Sequence, residues 1–185
     1  MRTPWGPSQS VTIVGDGIVL VSTAGHGGYK LDAIRNRKVH AAWRCAGGWY
    51  EEGCDWSRVA LTFPELFTAK QLESAKRTAK NYAPDAYAAV TGEPVTLAES
   101  YKLRHRAFDD AHKTHLVGVS AWGDWADGVP KGMVRVLATL GGDSQMPGVY
   151  YLVDKADYAA REEFGFVVDP TKHQPEGQER TAAAS

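Results

Sequence analysis

Residues 11–22, VTIVGDGIVLVS, decide how the fold begins. Two runs of aliphatic and β-branched residues, Val11 to Val14 and Ile18 to Ser22, flank the turn residues Gly15-Asp16-Gly17. Glycine and aspartate between two such runs are typical of a β-hairpin. The sequence therefore predicts that an antiparallel sheet starts here. Its second strand leads into residues 22–29, STAGHGGY, where one histidine is surrounded by three glycines.

Further strands and helices follow from hydrophobic periodicity and capping residues. Alternating apolar residues predict a strand over Trp56 to Phe63, which Pro64 ends. Three closely spaced apolar runs predict antiparallel strands over Leu116 to Trp122, Met133 to Leu140 and Val149 to Val153. Capping boxes at Thr68 and Gln71 and at Thr96 and Glu99 predict helices to about Ala83 and about His115. Two shorter helices are expected over Pro84 to about Val90 and, capped by Asp154, over Lys155 to Glu163.

These elements predict an α+β fold with one domain over residues 1–169, in which helices pack mainly on one face of an antiparallel sheet. Phe166 to Val168 is a candidate last strand. From Pro170 onward the chain is polar, contains proline and ends in alanines. Such a composition is typical of a disordered tail, which we expect over residues 170–185.

Composition restricts the class of protein. The net charge of −1 and the apolar fraction of 43% are ordinary for a globular protein. No apolar run approaches the roughly 18 residues of a membrane span, and two cysteines are too few for a disulfide scaffold. We therefore expect a cytoplasmic protein without membrane contact. Nucleic-acid binding is not favoured, because Lys76, Arg77 and Lys80 and the second basic group, Lys102, Arg104 and Arg106, lie on helices of mixed charge.

Three residues are the candidate catalytic groups: His26, Glu51 and Glu52. A histidine in a glycine-rich loop can act as a base or a metal ligand when carboxylates orient it. Side chains alternate along an extended segment, so at most one of the two glutamates is expected to join His26. The alternative is that His26 bonds within its own loop and both glutamates are solvated.

Other chemistries have weaker support. His40, Cys45 and Cys54 match no compact zinc spacing, so no metal and no cofactor is expected. Cys54 could act as a nucleophile with His26 as its base, but nothing in the sequence brings the two together. His105 and Asp109 form an i, i+4 pair that could ligate a metal but is more often solvated.

Aromatic residues are concentrated in the N-terminal third, which holds four of the six tryptophans. Large aromatics usually pack in a core, but they also dominate binding surfaces. The candidate binding residues are Trp5, Tyr29, Trp49, Tyr50, Asp55 and Trp56.

Four motifs resemble an uncharacterised bacterial and phage family, a domain of unknown function met in phage, plasmid and other mobile-element proteins. They are TPWGPSQ at 3–9, STAGHGG at 22–28, GGWYEEGCDW at 47–56 and FGFVVDP at 164–170, and the resemblance covers about residues 3 to 174. The family pattern has an acidic residue where this chain has Gly53, so a metal or acid role at that position is in doubt here. No activity comes with the resemblance.

Mobile elements carry small proteins that blunt host defences, and no complete catalytic motif is present. The first hypothesis is therefore an accessory protein that binds a protein partner, with a host-defence complex of the CRISPR or restriction type as the candidate. The alternative is a hydrolase or nuclease-like enzyme, with or without a metal ion, centred on His26 and Glu51 or Glu52. The sequence leaves the oligomeric state open.

Overall fold

The structure, a computed structural model, describes residues 2–176. These residues fall into two units, 2–104 and 105–176. All paired strands are antiparallel, and they are distributed over a two-stranded ribbon, a four-stranded sheet and a three-stranded sheet. The predicted α+β class is confirmed. That the chain forms one domain over 1–169 stays a prediction.

The first unit is built on the four-stranded sheet, whose order is β3-β4-β5-β6. Its strands and the N-terminal ribbon are β1 (Arg2–Thr3), β2 (Gly6–Pro7), β3 (Ser10–Gly15), β4 (Ile18–Ser22), β5 (Gly27–Leu31) and β6 (Trp49–Glu51). The hairpin predicted at 11–22 is β3 and β4, with a register shift between Ile13 and Gly15. The last two strands were not predicted, because both are short and rich in glycine or aromatic residues.

Helices and single 3₁₀ turns complete this unit. The helices are α1 (Ala33–Lys38), α2 (Trp56–Thr62), α3 (Ala69–Tyr82), α4 (Pro84–Thr91) and α5 (Tyr101–His112), the last of which continues past residue 104. The 3₁₀ turns are Ala41–Trp43, Ala46–Gly48, Pro64–Leu66 and Leu97–Glu99. The core contains Ile18, Leu31, Val39, Trp43, Tyr50, Val59, Phe63, Ala79 and Tyr87.

The strand predicted over residues 56–63 was wrong, since the chain forms helix α2 there. Val59 and Phe63 are buried and lie four residues apart, which places them on one helical face. Leu61, the residue that completed the alternating pattern, is only half-buried. The Thr62 hydroxyl donates to the Arg58 carbonyl at 2.6 Å, as expected within a helix.

Both predicted capping boxes form, but they start different structures. Thr68 and Gln71 open α3 as expected. Thr96 and Glu99 open only a 3₁₀ turn, and α5 begins after Ser100, whose hydroxyl accepts from the Leu103 N–H at 3.3 Å. Helix α5 also ends earlier than predicted, at His112.

The second unit contains a three-stranded meander and one short helix. Its elements are β7 (Leu116–Trp122), β8 (Met133–Leu140), β9 (Gly148–Asp154) and α6 (Lys155–Ala159). The three predicted strands are confirmed within one residue, whereas α6 is shorter than predicted and its cap residue Asp154 makes no capping hydrogen bond. Val167 forms an isolated bridge with Val117 in place of the predicted last strand.

The predicted C-terminal tail begins with residues that the structure places on the second sheet. Pro175 bridges to Tyr151, and the Glu176 N–H donates to the Tyr150 carbonyl at 2.7 Å. His173 is buried, and its Nδ1 accepts from the Asp169 N–H at 3.0 Å. Residues 170–176 therefore belong to the second unit, and the rest of the predicted tail lies outside the described residues. Between residues 2 and 176 no helix is long and apolar enough to cross a membrane.

Tyr50 connects the sheet to α1 and to the segment that follows that helix. Its hydroxyl donates to Asn36 Oδ1 at 2.6 Å and accepts from the Cys45 N–H at 3.2 Å. The ring is fully buried, and burial raises the pKa of Tyr50 to about 12. The phenol therefore keeps the proton that it donates to Asn36 throughout the physiological pH range.

We predict that Tyr50→Phe lowers the free energy of unfolding by about 1–3 kcal/mol, because it removes the hydrogen-bond partner of two half-buried polar groups, Asn36 Oδ1 and the Cys45 N–H. Urea unfolding at neutral pH measures the loss. Tyr82→Phe is the matched control, since Tyr82 is 45% exposed, and it should stay within about 0.5 kcal/mol of the wild type. Equal losses in the two variants would contradict the role of the Tyr50 hydroxyl.

Candidate functional site

A short loop between β4 and β5 holds His26. The Thr23 N–H and hydroxyl both donate to the His26 carbonyl, at 2.7 and 2.8 Å, and the His26 N–H donates to Thr23 Oγ1 at 3.2 Å. These three bonds fix the backbone of His26 but leave its side chain 63% exposed. Thr23 was not among the residues predicted from the sequence, although a threonine three residues before a loop histidine is a pattern that could have indicated its role.

Glu51, the last residue of β6, is oriented by its own turn. The Gly53 N–H donates to Glu51 Oε2 at 2.6 Å, and Glu51 Oε1 lies 3.8 Å from His26 Nδ1. That separation is too long for a hydrogen bond, but it suits an ion pair with a protonated imidazole or a shared ligand. Gly53 therefore acts through its backbone, a role that the sequence did not indicate.

Glu52 is the third residue of the cluster with His26 and Glu51. Its N–H donates to the Gly27 carbonyl at 3.0 Å, and its carboxylate lies close above Gly27, where an added Cβ would be 2.6 Å from Oε2. One ligand atom from each of His26, Glu51 and Glu52 lies within 4.8 Å of the others. The expectation that at most one glutamate joins His26 was wrong, because β6 ends at Glu51 and strict alternation ends with it.

Two glycines of β5 make this convergence possible. A Cβ on Gly28 would lie 2.3 Å from the Tyr50 carbonyl oxygen and 2.6 Å from the Trp5 ring. Gly27 and Gly28 are both buried, and both pair within the sheet rather than forming the predicted loop. Only residues without a side chain permit this close approach of β5, β6 and Trp5.

Two tryptophans pack together on the face of the sheet toward which a side chain at Gly28 would point. The Trp5 and Trp49 rings meet edge to face, with centroids 5.6 Å apart. Lys30 Nζ lies 4.9 Å from the Trp49 ring centroid and donates to the Gly47 carbonyl. Both tryptophans are half-buried, and Trp49 lies two residues before Glu51 in β6, so the side chains of Trp49 and Glu51 lie on the same face of the strand.

The other predicted binding residues have structural roles. Tyr29 and Trp56 pack against Phe67, with ring centroids 5.8 and 6.5 Å away. Asp55 pairs with Arg58 at 3.0 Å. Tyr50 is fully buried, so its burial excludes a direct contact with a partner.

The remaining candidate groups are engaged elsewhere. Burial raises the pKa of the Cys54 thiol. The negative charges of Asp55 and Glu51 raise it further, and the positive charges of Arg58 and Lys102 oppose the rise. The thiol is therefore protonated at neutral pH. Cys45 Sγ accepts from Arg58, and His40 Nδ1 accepts from the Ala42 N–H, so these two residues, whose spacing with Cys54 did not predict a zinc site, have other partners. In the second unit His105 Nδ1 and Asp109 Oδ2 lie 2.9 Å apart, as their spacing predicted.

The ligand chemistry of the cluster suits a divalent cation. One imidazole nitrogen and two carboxylate oxygens are donors that Mn²⁺ and Zn²⁺ accept, and three protein ligands leave coordination positions open to water. Within residues 2–176 no other group of three histidines, cysteines or carboxylates brings its ligand atoms this close together.

We predict that Gly28→Ala lowers the free energy of unfolding by about 1–3 kcal/mol, because the new methyl group clashes with the Tyr50 carbonyl and separates β5 from β6. Gly25→Ala is the control in the same segment, since a Cβ there meets nothing within 4 Å, and it should change stability by less than about 0.5 kcal/mol. Urea unfolding of both variants makes the comparison. Two equally stable variants would show that the close approach is not required.

Comparison with known proteins gives a family but no activity. A family model described as Domain of unknown function (DUF7007) matches residues 1–113, which include the loop of His26 and the segment of Glu51 and Glu52. No curated protein and no solved structure matches the chain. The matched region is more than half of the 185 residues. The chain therefore belongs to the family of the domain of unknown function DUF7007.

Proposed function

We propose that this protein is a hydrolase that depends on a divalent cation held by His26, Glu51 and Glu52. The convergence of their three ligand atoms within 4.8 Å carries the proposal. The bonds of Thr23 to the His26 backbone and of Gly53 to Glu51 support it, because they position two ligands before a cation arrives.

A cation at these ligands would lower the pKa of a bound water toward 7 and would polarise an ester oxygen of the substrate. The high exposure of His26 leaves room for a large substrate. The half-exposed Trp49 and Trp5 offer apolar contact to the part of the substrate that does not react.

A cation titration tests the site directly. In a titration with MnCl₂, the electron paramagnetic resonance signal of free Mn²⁺ should decrease when the wild-type protein binds the ion, with about one bound ion per chain. His26→Ala should weaken Mn²⁺ binding at least about tenfold. His40→Asn is the matched control: His40 is an exposed histidine that caps a turn, a role that asparagine can keep. Hydrolysis of a chromogenic phosphodiester should require Mn²⁺ and should be lost in His26→Ala. If neither Mn²⁺ nor Zn²⁺ binds at millimolar concentration, the proposal fails.

A second proposed function is protein binding against a host defence, in keeping with the mobile-element setting of the resemblance. The outer strand β3 supports this second function. Among residues 2–176 it pairs with β4 alone, and the side chains of Ile13 and Val11 are 81% and 46% exposed. An edge strand with apolar side chains can pair with a strand of another protein.

This second function predicts that expressing the protein raises phage plating on a host that carries a CRISPR or restriction system by at least about tenfold. Ile13→Lys should abolish the effect, because a charge on the edge strand opposes pairing. Ile34→Lys is the control, since Ile34 is 62% exposed but lies on α1. If the two variants behave alike, β3 is not the contact.

A further inference from the structure

Two basic helices that are distant in sequence meet in the first unit. Asn81, near the end of α3, accepts from the Tyr101 N–H through Oδ1 at 2.6 Å, and its carbonyl accepts from the Ser100 hydroxyl at 3.0 Å. A cavity of about 670 Å³ opens beside this junction. It is lined by Lys76, Arg77, Lys80, Asn81, Tyr87, Glu93, Ala98, Glu99 and Arg104.

Both carboxylates that line the cavity accept hydrogen bonds from other residues of the protein. Glu99 accepts from Lys80 at 2.7 Å through one oxygen and from the backbone and hydroxyl of Thr96, at 3.0 and 2.9 Å, through the other. These bonds lower the pKa of Glu99 to about 2. Glu93 accepts from the Tyr87 hydroxyl at 2.9 Å.

Two cationic side chains of the lining can bind an anion. Lys76 and Arg77 are exposed, and neither side chain has a hydrogen bond or an ion pair with any residue between 2 and 176. Arg104 adds a third positive charge, with one guanidinium nitrogen 3.4 Å from the Leu97 carbonyl. A concave surface with this balance attracts anions.

Two exposed aromatic rings lie at the same helix junction as the cavity. Tyr82 follows the lining residue Asn81, to which the Tyr101 N–H donates, and the two tyrosine rings lie 6.0 Å apart. Their side chains are 45% and 37% exposed, so part of each ring is accessible. Tyrosine rings beside arginine and lysine are the combination that binds single-stranded nucleic acid, in which the rings stack on bases and the cations hold phosphates.

We propose that this cavity binds single-stranded nucleic acid, with phosphates at Lys76 and Arg77 and bases on Tyr82 and Tyr101. The inference rests on the proposed hydrolase and names its substrate class as a nucleic-acid phosphodiester. An acidic peptide would satisfy the cations, but it offers no flat ring for the two tyrosines. The mixed charge of the two helices did not favour this ligand in the sequence, because it does not show that cations of both helices line one cavity in which Glu99 is paired with Lys80.

Fluorescence anisotropy with labelled oligothymidine and oligouridine of about 12 nucleotides tests the proposal on the full chain. EDTA is present, so that the cation site takes no part and the probe is not cleaved. At about 50 mM salt the wild type should bind with a Kd on the order of 10 µM. Lys76→Glu/Arg77→Glu should bind at least about tenfold more weakly, and the slope of log K against log salt should fall by about 1.4, the value for two lost phosphate contacts.

The matched control is Lys38→Glu/Lys70→Glu, which changes the charge equally at exposed positions outside the cavity and should bind much as the wild type does apart from a small general effect. Tyr82→Ala should weaken binding about tenfold, as the loss of a stacked base predicts. The proposal is overturned if the control double variant loses as much affinity, if Tyr82→Ala binds as well as the wild type, or if polyglutamate competes as well as the oligonucleotide.

Two further outcomes separate this inference from the proposed function. A protein that binds Mn²⁺ but no oligonucleotide would overturn the nucleic-acid inference alone. A protein that binds the oligonucleotide but no cation would overturn the proposed hydrolase alone.

Discussion

The close pairing of β5 with β6 at Gly28 is the constraint on which the candidate site depends. Hydrogen bonds between these strands place Glu51 opposite Gly28, and the absence of a side chain lets the Tyr50 carbonyl and the Trp5 ring come into direct contact with the strand. The same pairing buries Tyr50 under the helices, where it bonds to Asn36 and Cys45. One face of the sheet thus carries the core, and the other carries Trp5, Trp49 and the approach to His26.

The site itself lies where regular pairing stops. His26 precedes β5 and Glu52 follows β6. Hydrogen bonds at the strand ends hold their backbones, from Thr23 to the His26 carbonyl and from the Glu52 N–H to the Gly27 carbonyl, and the Gly53 N–H orients the Glu51 carboxylate. Because these bonds leave the His26 imidazole and Glu51 Oε1 unused, both keep their capacity to bind a ligand.

Gly53 contributes to the site through its backbone. Its N–H donates to Glu51 Oε2 at 2.6 Å and so orients that carboxylate. A Cβ at Gly53 would lie 2.7 Å from Glu51 Oε2, so a larger side chain would have to share space with the carboxylate.

The sequence by itself determined the hairpin at 11–22, the three strands of the second sheet and the capping box of α3, because these depend on residues that are neighbours in the chain. It also identified His26, Glu51 and Glu52 as groups to consider. Only the tertiary structure decided that both glutamates meet His26, that Tyr50 is core, and that residues 56–62 are helical. The same holds for the junction of α3 with α5, which lie about twenty residues apart. Long-range pairing and burial set these features, and a local pattern of residue types does not contain them.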